Sequence, residues 1–62
     1  MNTSEISSMI RDAQALKARL TELASQLNKA KRGPQAGTAL KAADDVKMAE
    51  AKLSKILTEI LA

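Results

Sequence analysis

The stretch LKARLTELASQLNKAKRGP, Leu16 to Pro34, decides the fold of this chain. Leu16, Leu20, Leu23 and Leu27 recur at spacings of four, three and four, the repeat of one helix face. The run closes on Lys29, Lys31 and Arg32, cations that suit the negative end of a helix dipole. Gly33 offers the left-handed conformation that ends helices, and Pro34 blocks continuation. Toward the N-terminus the spacing continues through Ala13, Met9 and Ile6. Beyond the break it resumes as Ala39, Ala42, Val46, Ala49, Leu53, Ile56 and Ile60. Two seams split by a single Gly-Pro predict an all-α fold, a two-helix antiparallel coiled-coil hairpin.

The local signals place one domain over residues 1–62, with a helix over about 4–32, a turn over about 33–37 and a helix over about 38–61. Asn2 with Glu5 three residues later forms a capping box for the first helix. Thr38 is the expected N-cap of the second, with Asp44 and Asp45 near its start.

With Ile6, Ala13, Leu20 and Leu27 as heptad position a, Met9, Leu16, Leu23 and Ala30 fall at d. In the second helix Ala39, Val46, Leu53 and Ile60 are a, and Ala42, Ala49 and Ile56 are d. A turn centred near residues 34–35 opposes a to d: Leu27 to Ala42, Leu23 to Val46, Leu20 to Ala49, Leu16 to Leu53 and Ala13 to Ile56. Large residues face small ones at most levels, as interdigitating layers require. The e flank then pairs Ile10 with Leu57, Lys17 with Glu50 and Ala24 with Ala43. The g flank pairs Asp12 with Glu59 and Arg19 with Lys52, like charges that a two-fold related copy could complement.

Composition bears on function mainly by exclusion. The 62 residues contain no cysteine, histidine or aromatic residue. That removes thiolate chemistry, the commonest general base and any ring to stack on a nucleobase. The carboxylates are scattered, and Asp44-Asp45 diverge as helix neighbours do. An enzyme, a metal site, a cofactor and a small-molecule substrate are therefore not expected. No apolar run reaches the eighteen or so residues of a membrane span, and Met1 to Glu5 lack a secretory pattern, so a cytoplasmic protein is expected.

Two surface features remain. Lys29, Lys31, Arg32 and Lys41, with no acid between Glu22 and Asp44, make the hairpin tip basic and suited to an anionic partner. The net charge of +3 permits such a partner without requiring one. Ile10, Leu40, Met48, Leu57 and Leu61 exceed what the a/d seam needs. The expected partner surface is therefore Ile10, Leu57 and Leu61, with Ala24 and Ala43 allowing close approach.

An amphipathic first helix with Leu20, Leu23 and Leu27, a basic end closing on Arg32-Gly33, and an Ala- and Glu-bearing second helix of similar length resemble the small co-chaperones of type III secretion needle subunits. The likeness spans roughly residues 14–60. It implies a cytoplasmic hairpin that stabilises a helical-repeat chaperone and helps keep a needle subunit from polymerising. The function expected is thus a non-enzymatic binding module, a co-chaperone or adaptor packing an apolar flank on a helical partner. The alternatives are a homodimeric four-helix bundle, a regulator binding nucleic acid or an acidic partner through the basic tip, and a phage-type protein inhibitor.

Overall fold

In a computed structural model that describes residues 2–62, the chain forms α1, Thr3–Lys29, and α2, Gly33–Leu61, folded back along each other as an α-helical hairpin. The Cα trace measures 47 × 14 × 11 Å, its long axis about one helix length. Asn2 caps α1: its Oδ1 accepts from the Ser4 N–H at 2.9 Å. The Glu5 N–H donates to the Asn2 carbonyl at 3.2 Å, so among the described residues Asn2 caps through Ser4 without the reciprocal Glu5 carboxylate bond of the expected capping box.

The turn lies earlier and is shorter than the sequence suggests. α1 ends at Lys29, and Lys31, not Gly33, takes the left-handed conformation with φ of 60°. The Arg32 N–H donates to the Leu27 carbonyl at 2.8 Å and the Lys31 N–H to the Asn28 carbonyl at 3.0 Å. This pair of bonds is the Schellman closure, which satisfies the last free carbonyls of a helix. Gly33 and Pro34 belong to the first turn of α2. Proline is at ease there because its missing N–H would have no intrahelical acceptor. The residue that stops one helix thus starts the next. Thr38, expected as the N-cap, lies inside α2, where its hydroxyl donates to the Pro34 carbonyl at 3.2 Å.

Moving the turn changes the register. With the chain reversing at Lys31–Arg32, Leu27 lies level with Ala36 instead of Ala42, Leu20 with Ala43 instead of Ala49, and Ile10 with Leu53 instead of Leu57. Ala24, Ala36 and Ala39 form a buried cluster covered by Leu27, and Ala43 and Ile6 are the other buried apolar residues. The seam joining the helices is therefore built from positions a and e. Along α1 it runs Ile6, Ile10, Ala13, Lys17, Leu20, Ala24 and Leu27. Along α2 it runs Ala36, Ala39, Ala43, Val46, Glu50, Leu53 and Leu57, all buried or half-buried. The expected Lys17–Glu50 pairing is replaced: Glu50 Oε2 accepts from Gln14 Nε2 at 2.8 Å. Asp12 and Arg19 are not level with Glu59 and Lys52; Asp12 lies within one residue of the level of Lys52 and Arg19 within one residue of that of Asp45, across the width of the hairpin.

Candidate protein-interaction face

Four of the five residues expected to meet a partner are used inside the hairpin. Ala24 is 2% exposed, Ala43 is buried, and Ile10 and Leu57 are half-buried in the a/e seam. The reason is the register: a three-residue turn brings e against a and leaves d outside. Leu61 alone of the five is exposed, at the end of α2.

What the seam leaves uncovered is the d row. Met9 is 53% exposed, Leu16 44%, Leu23 43% and Ile56 44%, and Ala49 is exposed beside them. At helical spacing, d lies about 80° round the helix from the middle of an a/e contact. In an antiparallel pair the d rows of both helices project from the same broad side. Met9, Leu16 and Leu23 from α1 therefore interleave with Ile56, Ala49 and Ala42 from α2 in one apolar stripe running the length of the hairpin. The half-exposed a residues Leu20, Val46 and Leu53 form its floor. A stripe of this extent differs from scattered surface apolar residues, which need no explanation. Leu40 and Met48 are such scattered residues, exposed but off the stripe.

The opposite broad side is mostly polar. Ser7, Gln14, Thr21 and Asn28 project from it on α1, and Lys47 and Ser54 on α2, in a row that Leu40 begins and Leu61 ends. A shallow depression there is lined by Lys17, Lys47, Glu50, Ala51 and Ser54. The Gln14–Glu50 hydrogen bond crosses between the helices beside it.

The basic tip is only partly assembled. Lys29, Lys31 and Arg32 are exposed together at the turn. Lys41 stands eight residues into α2, roughly 12 Å back from the turn, level with Glu22 on the other helix. Among the described residues no helix is long and apolar enough to cross a membrane, and no group of three or more metal-ligating side chains gathers.

The d stripe was present in the sequence as half of the a/d pattern. A turn over residues 33–37 puts it in the hairpin's own seam; the turn over residues 30–32 points it outward. No protein-family model, curated protein or solved structure matches this chain.

Proposed function

We propose that the protein is a non-enzymatic binding module that works by packing the apolar stripe of Met9, Leu16, Leu23, Ala49 and Ile56 against helices. The observation that carries this reading is the exposure of large apolar residues in a single row, at helical spacing, along one side of a two-helix layer. Two helices side by side form half of a four-helix cross-section, in which a and d point to a common centre. In the hairpin alone, a is half covered and d is open. The stripe therefore suits helices running alongside it, and apolar burial supplies the driving force.

A needle co-chaperone is the form of this reading implied by the sequence resemblance. In that form the contacts fall on the d stripe rather than on Ile10, Ala24, Ala43 and Leu57. The test compares what the native chain and its Leu16→Asp variant retain from an extract of the source cell, each checked for helicity by circular dichroism. Leu16→Asp should lose every specifically retained chain, further copies of itself included. Equal retention by two helical proteins would sink the reading.

A further inference from the structure

We infer that the stripe is covered by a second copy of this chain, laid face to face and head to tail, so that two hairpins make one four-helix bundle with their turns at opposite ends. This rests on the reading of the stripe as a contact face and names its occupant. Three observations bear on it: charge and shape support the second copy and its direction, and area supports the second copy.

The first is charge. Position g flanks the stripe on its outer edges, and in a bundle of four it faces the neighbouring hairpin. Read from the open end toward the turn, α1 presents Glu5, Asp12, Arg19 and Gln26 along this edge, and α2 presents Glu59, Lys52, Asp45 and Thr38. A two-fold axis across the middle of the stripe lays α1 on α1 of the second copy, antiparallel. Asp12 then meets Arg19 of the second copy, and Glu5 meets Gln26. On the other edge Lys52 meets Asp45 and Glu59 meets Thr38. The two edges independently place the axis within about one residue of the same level, roughly 1.5 Å. With both turns at one end, Asp12 would meet Lys52 and Arg19 would meet Asp45 of the second copy, so those charges are satisfied either way. But Glu5 would face Glu59 twice, and Lys29, Lys31 and Arg32 would crowd their own copies. Like charges so placed are unfavourable.

The second is shape. The open end carries large residues, Ile6, Met9, Leu53, Ile56 and Leu57, whereas the turn end of α2 carries Ala36, Ala39, Ala42 and Ala43. The apolar residues of α2 therefore taper toward the turn, while α1 keeps Leu20, Leu23 and Leu27 there. Laid head to tail, Ile56 comes near Ala42 of the second copy, large on small, and Met9 near Leu23. At the axis Leu16 meets Leu16 and Ala49 meets Ala49. Facing large to small fills layers evenly. The reverse orientation sets Ile56 on Met9, large on large.

The third is area. The 47 by 14 Å extents of the Cα trace give a footprint of about 650 Å² before side chains are added, close to the ~800 Å² per partner of a stable interface.

The chain has no cysteine, so Lys29→Cys provides a unique spin-label site at the exposed turn. Light scattering should give twice the 6.6 kDa chain mass. Pulsed dipolar spectroscopy should find the two labels about 40 Å apart, the length of a 27-residue helix. Arg19→Asp should weaken self-association about tenfold, since it removes two exposed ion pairs and creates two repulsions. Adding Asp12→Arg should restore it to within about threefold, because Asp12 and Arg19 exchange roles across the axis. A label separation below about 20 Å, or a double swap weaker than Arg19→Asp alone, would overturn the head-to-tail arrangement. A monomer up to several hundred micromolar would overturn the second copy. If that monomer still retains another protein through Leu16, the contact reading stands without the dimer; if Leu16→Asp changes nothing, both fall.

Discussion

One broad side of the hairpin carries Met9, Leu16, Leu23, Ala49 and Ile56; the other carries Ser7, Gln14, Thr21, Lys47 and Ser54. The same two helices build both sides, and neither is more solvent-facing by topology. They differ in how their groups are satisfied. On the polar side water and the Gln14–Glu50 hydrogen bond meet the demands of the side chains. On the apolar side nothing in the hairpin removes Leu16 or Leu23 from water, and both remain more than two-fifths exposed. A small helical protein buries a low fraction of its surface in any case. Leaving a whole row of leucine, methionine and isoleucine outside is a further cost, offset only when something covers it. The contrast between the two sides therefore separates a surface that water satisfies from one that the proposed contact would cover.

The sharpest way to break that contrast is to place a charge in the stripe. Leu16→Asp should remove about 2–3 kcal/mol of stabilisation per hairpin, the transfer term of one leucine taken out of an apolar contact. The signature is its dependence on concentration. The native chain should melt at a temperature that rises with protein concentration, as association linkage requires, and the variant at one that does not. Melting curves by circular dichroism over a hundredfold concentration range decide it. If both chains melt independently of concentration, no second copy covers the stripe.

The a/d spacing made the hairpin legible from the sequence, and the heptad positions of all the apolar residues were readable there. What could not be read was which pair of positions faces the sister helix. That depends on the turn, and the turn carries two competing signals. Gly33-Pro34 is a good helix stop, yet Pro34 is equally a good second residue of a new helix. The tie is resolved by Lys31, a residue with no intrinsic preference for φ of 60°, which adopts it because the Schellman bonds to Leu27 and Asn28 compensate. A local pattern search favours glycine for that role and so shifts the turn. The shift exchanged the roles of d and e, which moved Ile10, Ala24, Ala43 and Leu57 from the expected partner surface into the core. The charges at Asp12, Arg19, Asp45 and Lys52 were equally visible, but their pairing has meaning only after the d row is known to face outward.

A second substitution distinguishes seam from stripe. Ala24→Leu adds bulk where Ala24, Ala36 and Ala39 let the helices approach closely. Overpacking there should cost about 1–3 kcal/mol. The loss should appear at every protein concentration, because the damage lies within one hairpin. A loss that vanished at high concentration would place Ala24 in the intermolecular contact after all.

The turn belongs to neither side and provides an internal control. Lys31→Gly relieves the left-handed strain at φ of 60° and should stabilise the chain by about 0.5–1 kcal/mol. Gly37 lies inside α2 with open space around a would-be Cβ, so Gly37→Ala should add a similar amount through helix propensity. Both gains should appear in melting temperature while leaving the dissociation constant unchanged. A changed constant would mean that the turn conformation is coupled to the stripe.

The smallest effect is expected on the polar side. Gln14→Ala removes the 2.8 Å hydrogen bond to Glu50, the only side-chain hydrogen bond found between the helices among the described residues. Its acceptor is a carboxylate, which strengthens such bonds, but Gln14 is exposed and water replaces the lost donor. The net cost should be about 0.5 kcal/mol, with alanine's better helix propensity recovering part of it. The melting temperature should therefore move little, and the concentration dependence of the native chain should be retained in full. Gln14 and Leu16 stand two residues apart on one helix, so they share its backbone, its caps and its length. Gln14→Asp, which adds the same charge on the polar side, should likewise keep the concentration dependence, so its difference from Leu16→Asp reports the side each residue faces.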